Sequence, residues 1–206
     1  ISGNYAVVSC ASDSAELVVY DISNPASPSQ VGTFDATGTG DGVVLKYYDN
    51  KIVLGRSTGL MDIINVSNPL SPSLLSSTNV SSYVYGLALG DTNNKVFVAT
   101  GDAVNELKIY NIANPSSPSQ IGAYNTPAGL YGIEYIESSD RLMGVAYMDN
   151  QEIVTFKPIN SGIGQWPFAT QQSSLNLTGA AAGGKKVKLS SDATYAYVIK
   201  NTSAET

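Results

Sequence analysis

The chain has 206 residues, 43% of them hydrophobic and only 14% charged, and its 11 basic and 17 acidic residues leave it at −6. That is enough apolar chain for one sizeable core or two small ones, so disorder is set aside; duplex nucleic acid is set aside too, for want of a basic stripe. There is no histidine and a single cysteine, which excludes Ser–His–Asp and Cys–His catalysis, imidazole metal sites, histidine pH switching and any internal disulfide.

The chain opens at Ile1, with no charged segment leading an apolar one, the pattern of a processed or excised piece. The run Tyr5 to Cys10 reads as a strand, with Cys10 as a buried small hydrophobe rather than a reactive thiol. Residues 16–25, "ELVVYDISNP", follow, and then a proline turn that leads into "SQVGTF". That turn nearly recurs: "DISNPASPSQVGTF" from Asp21, "NVSNPLSPSLLSST" from Asn65 and "NIANPSSPSQIGAY" from Asn111. Its first prolines, Pro25, Pro69 and Pro115, lie 44 and 46 residues apart. A second landmark agrees: Ala6-Val7-Val8, Ile52-Val53-Leu54, Val96-Phe97-Val98 and Leu142-Met143-Gly144 step by 46, 44 and 46, and Ala196-Tyr197-Val198 follows after 54.

Residues 84–124 show one period: "VYGLALG", the turn "DTNNK", "VFVAT", the loop "GDAVNE", "LKIYNIA", the turn "NPSSPS" and "QIGAY". The apolar runs are 5–7 residues long, rich in Val, Ile, Leu and Tyr and bounded by Gly, Asn, Asp and Pro, which is strand-and-turn chemistry. No stretch sustains a capped 3.6-residue period, so helix is expected to be scarce. No apolar run nears the roughly 20 residues of a helical membrane span.

Four short antiparallel strands per repeat of about 45 residues predict an all-β fold, a β-propeller of about four to five blades. A parallel β-helix has shorter coils, and a β-sandwich does not call for similar repeats. The repeats run approximately 1–36, 37–80, 81–126, 127–178 and, in part, 179–206. Second strands are expected to be apolar on both faces, as "AVV", "KIVL" and "KVFVA" are. Counting gives three, four, four, four and two strands, seventeen in all, which does not close neatly and predicts an arc of a larger propeller.

Leu17-Val18-Val19-Tyr20-Asp21, with Ile22-Ser23-Asn24-Pro25 after it, resembles the LVIVD repeat of bacterial and archaeal surface proteins. The second copy departs at Met61, Asp62 and Asn65, the third at Lys108 and Asn111, and the fourth, "IVTFKP" from Ile153, lacks the double proline. The resemblance covers roughly residues 3–160. It implies a propeller and an extracellular or cell-surface setting, in keeping with the Ser-, Thr-, Asn- and Gln-rich surface, and it hands over no catalytic residues.

The turns between first and second strands carry Asp49, Asp91, Asp140 and Asp192, read as turn formers before ligands. The proline turns lie on the same face. Function is expected on the opposite face, with loops 10–16, 35–42, 100–106, 125–130 and 171–184. Its acids, Asp13, Glu16, Asp35, Asp41, Asp102 and Glu106, are expected to be solvated, with Asp41, Asp102 and Glu106 kept as candidate binding contacts of that face. "DATGTGDG" and "GDAVNE" leave calcium open as a cofactor, without the alternating Asp/Asn spacing of a dedicated site. Glu134 is the one acid inside an apolar strand, "YGIEYIE", with Lys46, Ala88 and Lys188 as its counterparts in other repeats. First strands line a propeller's channel, so Glu134 between lysines is either a ligand contact or a paired channel charge. Tyr131 shares that strand. Lys185, Lys186 and Lys188 form the only basic cluster, read as a solvated strand end. Trp166-Pro167-Phe168 is either a sugar- or partner-contacting patch or an outer strand packed on its neighbour. The N-x-Ser/Thr sequons at Asn65, Asn79, Asn176 and Asn201 are a chance pattern in so Asn- and Ser-rich a chain.

These residues predict a non-enzymatic module that binds a protein or glycan at the loop face or joins a surface assembly. The alternatives are a glycan-active enzyme built on Glu134 and a second carboxylate about 5–10 Å away, and a structural subunit of a surface filament.

Overall fold

The computed structural model describes residues 3–12, 14–90, 92, 94–126, 129–146, 152–158, 169–175, 184–190 and 194–200. Among them are seventeen strands in five antiparallel meanders. The first sheet has three: β1 (Tyr5–Ser9), β2 (Leu17–Asp21) and β3 (Ser29–Phe34). The second has β4 (Gly42–Tyr48), β5 (Lys51–Arg56), β6 (Leu60–Asn65) and β7 (Ser73–Asn79), and the third β8 (Val84–Gly90), β9 (Lys95–Thr100), β10 (Leu107–Asn111) and β11 (Ser119–Tyr124). The fourth has β12 (Leu130–Ile136), β13 (Arg141–Ala146), β14 (Ile153–Pro158) and β15 (Ala169–Leu175). The last is the pair β16 (Gly184–Leu189) and β17 (Ala196–Lys200). The described residues hold no α-helix, only a 3-10 turn at Glu137–Ser139, and so no helix long and apolar enough to cross a membrane. The strand count matches the sequence reading sheet by sheet.

Local chemistry explains the turns. Asp49 and Asn50 have φ of 41° and 56°, left-handed at both positions, as the two-residue hairpin between Tyr48 and Lys51 requires. Asp140 is also left-handed, at φ 49°. These two aspartates are turn formers, as expected; Asp91 and Asp192 lie outside the described residues, as do Asp13, Asn176 and Asn201.

The proline turns are built from side-chain caps. Asp21, Asn65 and Asn111 end the third strands, and each accepts the N–H two residues on, from Ser23 (2.8 Å), Ser67 (3.0 Å) and Ala113 (2.8 Å). Asn24 and Asn68 repeat the device on Ala26 and Leu70, both at 3.2 Å. Either a carboxylate or an amide oxygen can make this bond, which explains why Asp and Asn interchange there. The turns also reach the preceding sheet. A Cβ at Gly32 of β3 would collide with the Pro69 carbonyl oxygen. At the equivalent place in β7, Ser76 Oγ donates to the Pro115 carbonyl at 2.7 Å.

The chain forms two compact units, residues 1–84 with 115–117, and residues 85–114 with 118–206. In the first, Leu17, Val19, Phe34, Ile52, Leu54 and Ile64 pack as one core between its two sheets. In the second, Phe97, Leu107, Ile109, Leu130, Ile133 and Phe156 do the same between the third and fourth. Strands β5 and β9 are buried on both faces, as expected of second strands. Strand β1 is not: Val8 is 45% exposed and Cys10 half-buried, because no described residue covers that face. The expectation of a buried Cys10 is corrected accordingly.

Candidate functional site

Three of the first strands, β4, β12 and β16, begin with the same irregularity. Register slips by one residue between Gly42 and Val44 in β4, between Leu130 and Gly132 in β12, and between Gly184 and Lys186 in β16. The second residue of each strand, Val43, Tyr131 or Lys185, is therefore a bulge residue left out of the ladder. Such bulges re-aim a side chain and recur beside binding sites. In the second unit the second residues of β8, β12 and β16 form a row. The Tyr85 and Tyr131 ring centroids are 4.7 Å apart, tilted by 44°, and the Lys185 ammonium lies 4.9 Å from the Tyr131 centroid. Both tyrosines are half-buried and Lys185 is exposed.

Glycines set the spacing of the row. A Cβ at Gly86 would come within 3.3 Å of the Gly132 Cα, and one at Gly132 within 2.9 Å of the Lys186 Cα. Consecutive first strands thus approach backbone to backbone, which no larger residue permits.

Three residues further along, the fifth positions are Ala88, Glu134 and Lys188, with Lys46 at the same place in the first unit. Lys188 Nζ donates to Glu134 Oε1 at 3.0 Å. Glu134 is 13% exposed and Lys188 74%. Of the residues singled out by sequence, the structure brings together Glu134 and Lys188, with Tyr131 on the same strand as Glu134. Lys46 is half-buried and has an interaction of its own.

Two of the loop acids depart from expectation, while Asp35 is exposed as expected. Glu16 and Glu106 are 0% and 7% exposed, and their Oε2 atoms accept the N–H groups of Ala36 (2.6 Å) and Thr126 (2.7 Å). They are buried caps on the exits of β3 and β11, not solvated carboxylates; a charge-assisted bond to backbone compensates their desolvation. Asp102 takes the Lys108 ammonium at 2.9 Å on Oδ2 and the Val104 N–H at 3.0 Å on Oδ1. The Lys108 bond, foremost, holds its carboxyl below the ordinary value. Asp41 is clamped through its backbone, its N–H donating to Ser57 Oγ at 2.9 Å and its carbonyl accepting from Ser57 N–H at 3.0 Å. Among the described residues no three His, Cys, Asp or Glu side chains gather closely enough to hold a metal ion. Trp166, with Pro167 and Phe168, lies outside the described residues.

Sequence reasoning missed two features. Tyr85 joins Tyr131 because "VYG" and "LYG" open first strands 46 residues apart, a recurrence that marks the row. In the first unit Arg56 sits 2% exposed between Glu16 and Asp62, its Nη2 4.0 Å from Glu16 Oε1 and its Nη1 3.6 Å from Asp62 Oδ2. Arg56 Nε donates to the Gly40 carbonyl at 3.1 Å and Nη2 to that of Thr37 at 3.2 Å, holding loop 35–42. The departure at Asp62 was the visible signal for this cluster.

Comparison with known proteins agrees with this architecture. The LVIVD repeat matches residues 1–36 and 94–126. No curated protein matches the chain by sequence. A protein from Lactobacillus plantarum, structural genomics target LpR118, superposes with a TM-score of 0.77 at 13% identity over 97% of this chain. The β-propeller domain of Myceliophteria thermophila Cps50 (Swd1) superposes with a TM-score of 0.59 at 10% identity over 86% of this chain. The chain spans 62% and 57% of the lengths of those two structures. At such identities the likeness shows the fold alone, and that fold is a β-propeller of four-stranded antiparallel blades.

Proposed function

We propose that this chain is a non-enzymatic propeller module that works outside the cytoplasm and holds a protein or glycan partner at its loop face. One observation carries the reading. Glu134, the acid best placed for glycosidic chemistry, is committed as an acceptor to Lys188 at 3.0 Å, while the second residues of the first strands, Tyr85, Tyr131 and Lys185, supply two aromatic rings and a cation. Glycoside cleavage needs two carboxyl groups on the substrate, about 5–10 Å apart, and an ion-paired Glu134 is poorly placed for that task. The low charge content, 14%, and the Ser-, Thr-, Asn- and Gln-rich surface support an extracytoplasmic setting.

Arrays of glycans and peptides probed with the labelled chain test the reading. Retention on one class is expected, lost in Tyr131→Leu and kept in Leu70→Ser, which alters a 61% exposed residue of the proline turn. Retention that survives Tyr131→Leu but fails in Leu70→Ser would overturn it. Release of reducing ends from a glycan, abolished by Glu134→Gln, would shift the assignment to a glycosidase.

A second reading, self-assembly, is favoured by Tyr195, Tyr197 and Ile199, which alternate along and just before β17 at 64%, 63% and 62% exposure. Sedimentation velocity should then show concentration-dependent association that Tyr197→Lys removes.

A further inference from the structure

We propose that the row of Tyr85, Tyr131 and Lys185 takes a carboxylate-bearing sugar, the acidic unit of a glycan; this rests on the binding reading above. The aromatic half of the row is preorganised. Two half-buried tyrosine rings 4.7 Å apart stand on strands whose glycines lock backbone to backbone, so little order is lost when the C–H face of a pyranose lies on them. Lysine supplies the charge. Lys51, Lys108 and Lys188 each have a carboxylate, on Asp49, Asp102 and Glu134. Lys185 has none among the described residues, only the Tyr131 ring at 4.9 Å. Its ammonium is free to leave the ring for a sugar carboxylate while the ring takes the sugar face.

The surrounding charge narrows the class further. The chain as a whole is at −6, so attraction at the row is local, within a screening length of about 8 Å at physiological salt. A long, dense polyanion would feel the repulsion of the whole molecule, whereas a short oligosaccharide with no more than one carboxylate per ring feels little of it. An acidic peptide would satisfy Lys185 but would leave the tyrosine pair without a matching face.

Calorimetric titration of the chain with trigalacturonate, its methyl ester and a hexaglutamate peptide tests the assignment, with near-UV circular dichroism confirming that each variant is folded. Trigalacturonate is expected to bind at least about tenfold more tightly than the ester. Lys185→Ala and Lys185→Gln should erase that preference, Tyr131→Leu should weaken both sugars, and Lys51→Ala should change neither. Equal affinity for acid and ester overturns the acidic class and leaves glycan binding standing. Hexaglutamate binding that needs Lys185, without sugar binding, overturns it in favour of a protein partner. No binding of any probe overturns it as well, while array retention sensitive to Tyr131→Leu would still uphold the binding reading.

Discussion

Asp62 occupies, in the second copy of the repeat, the place that Val18 and Lys108 hold in the first and third. It is 1% exposed, and neither of its oxygens makes a hydrogen bond of good geometry. Arg56 is shared with Glu16, one of whose oxygens is also unpartnered, so two carboxylates face one guanidinium. Burial raises the Asp62 pKa above its ordinary 3.8, and Ser77 and Arg56 offset this only in part. The folded state therefore holds a proton that the unfolded state has released. The resulting contribution to stability is full below 3.8 and is lost as pH rises through the higher folded value. Asp62→Asn should flatten this dependence and raise neutral-pH stability by about 1 kcal/mol, whereas Arg56→Ala should cost about 3–5 kcal/mol by leaving two buried carboxylates without a cation. Urea unfolding at acid and neutral pH measures both. The oddity of Asp62 was legible as a broken pattern. Its partners were not, because Glu16 and Arg56 meet it only after two sheets pack.

Among the elements, the proline turn changes meaning once its neighbours are seen. Its repetition, its strand-ending Asp or Asn and the outer strand that follows were all legible, since turn chemistry is local. Its second role was not: the turn after β6 lies against β3, with the Pro69 carbonyl where a Gly32 Cβ would be. The turn after β10 accepts Ser76 Oγ at 2.7 Å. Gly32→Ala should therefore force backbone apart and cost about 1–3 kcal/mol, more than the roughly 1 kcal/mol expected for removing one hydrogen bond in Ser76→Ala. Thermal melts of the two variants, compared with Ala26→Gly in an exposed part of the first turn, read the difference. The first-strand bulges were equally hidden. One unpaired residue in a ladder leaves no mark on composition or alternation, so Tyr131 was visible as an aromatic but not as one of a row. Glu16 and Glu106 looked like surface acids for a related reason: polarity suggests exposure, and only the strand exits they cap explain their burial.

The two compact units each have an apolar seam of their own, one around Leu17, Ile52 and Ile64 and one around Phe97, Leu107 and Phe156. A repeat architecture draws its stability from each repeat and from the interface with its immediate neighbour. Damage to one seam should accordingly stay where it is made. Phe156 is 0% exposed and stacks edge-on against Tyr124 at 5.3 Å, so Phe156→Ala removes a ring from the middle of the second seam at a cost of about 3–5 kcal/mol. Hydrogen exchange followed by mass spectrometry should show protection falling across β9 to β14, with peptides from β2 to β6 keeping theirs. Uniform loss over both sets would mean that the chain opens as one cooperative body. Seams that open separately would instead give each pair of adjacent blades its own stability, and would let the row on β8, β12 and β16 be altered by mutation without disturbing the buried Glu16–Arg56–Asp62 cluster of the first unit.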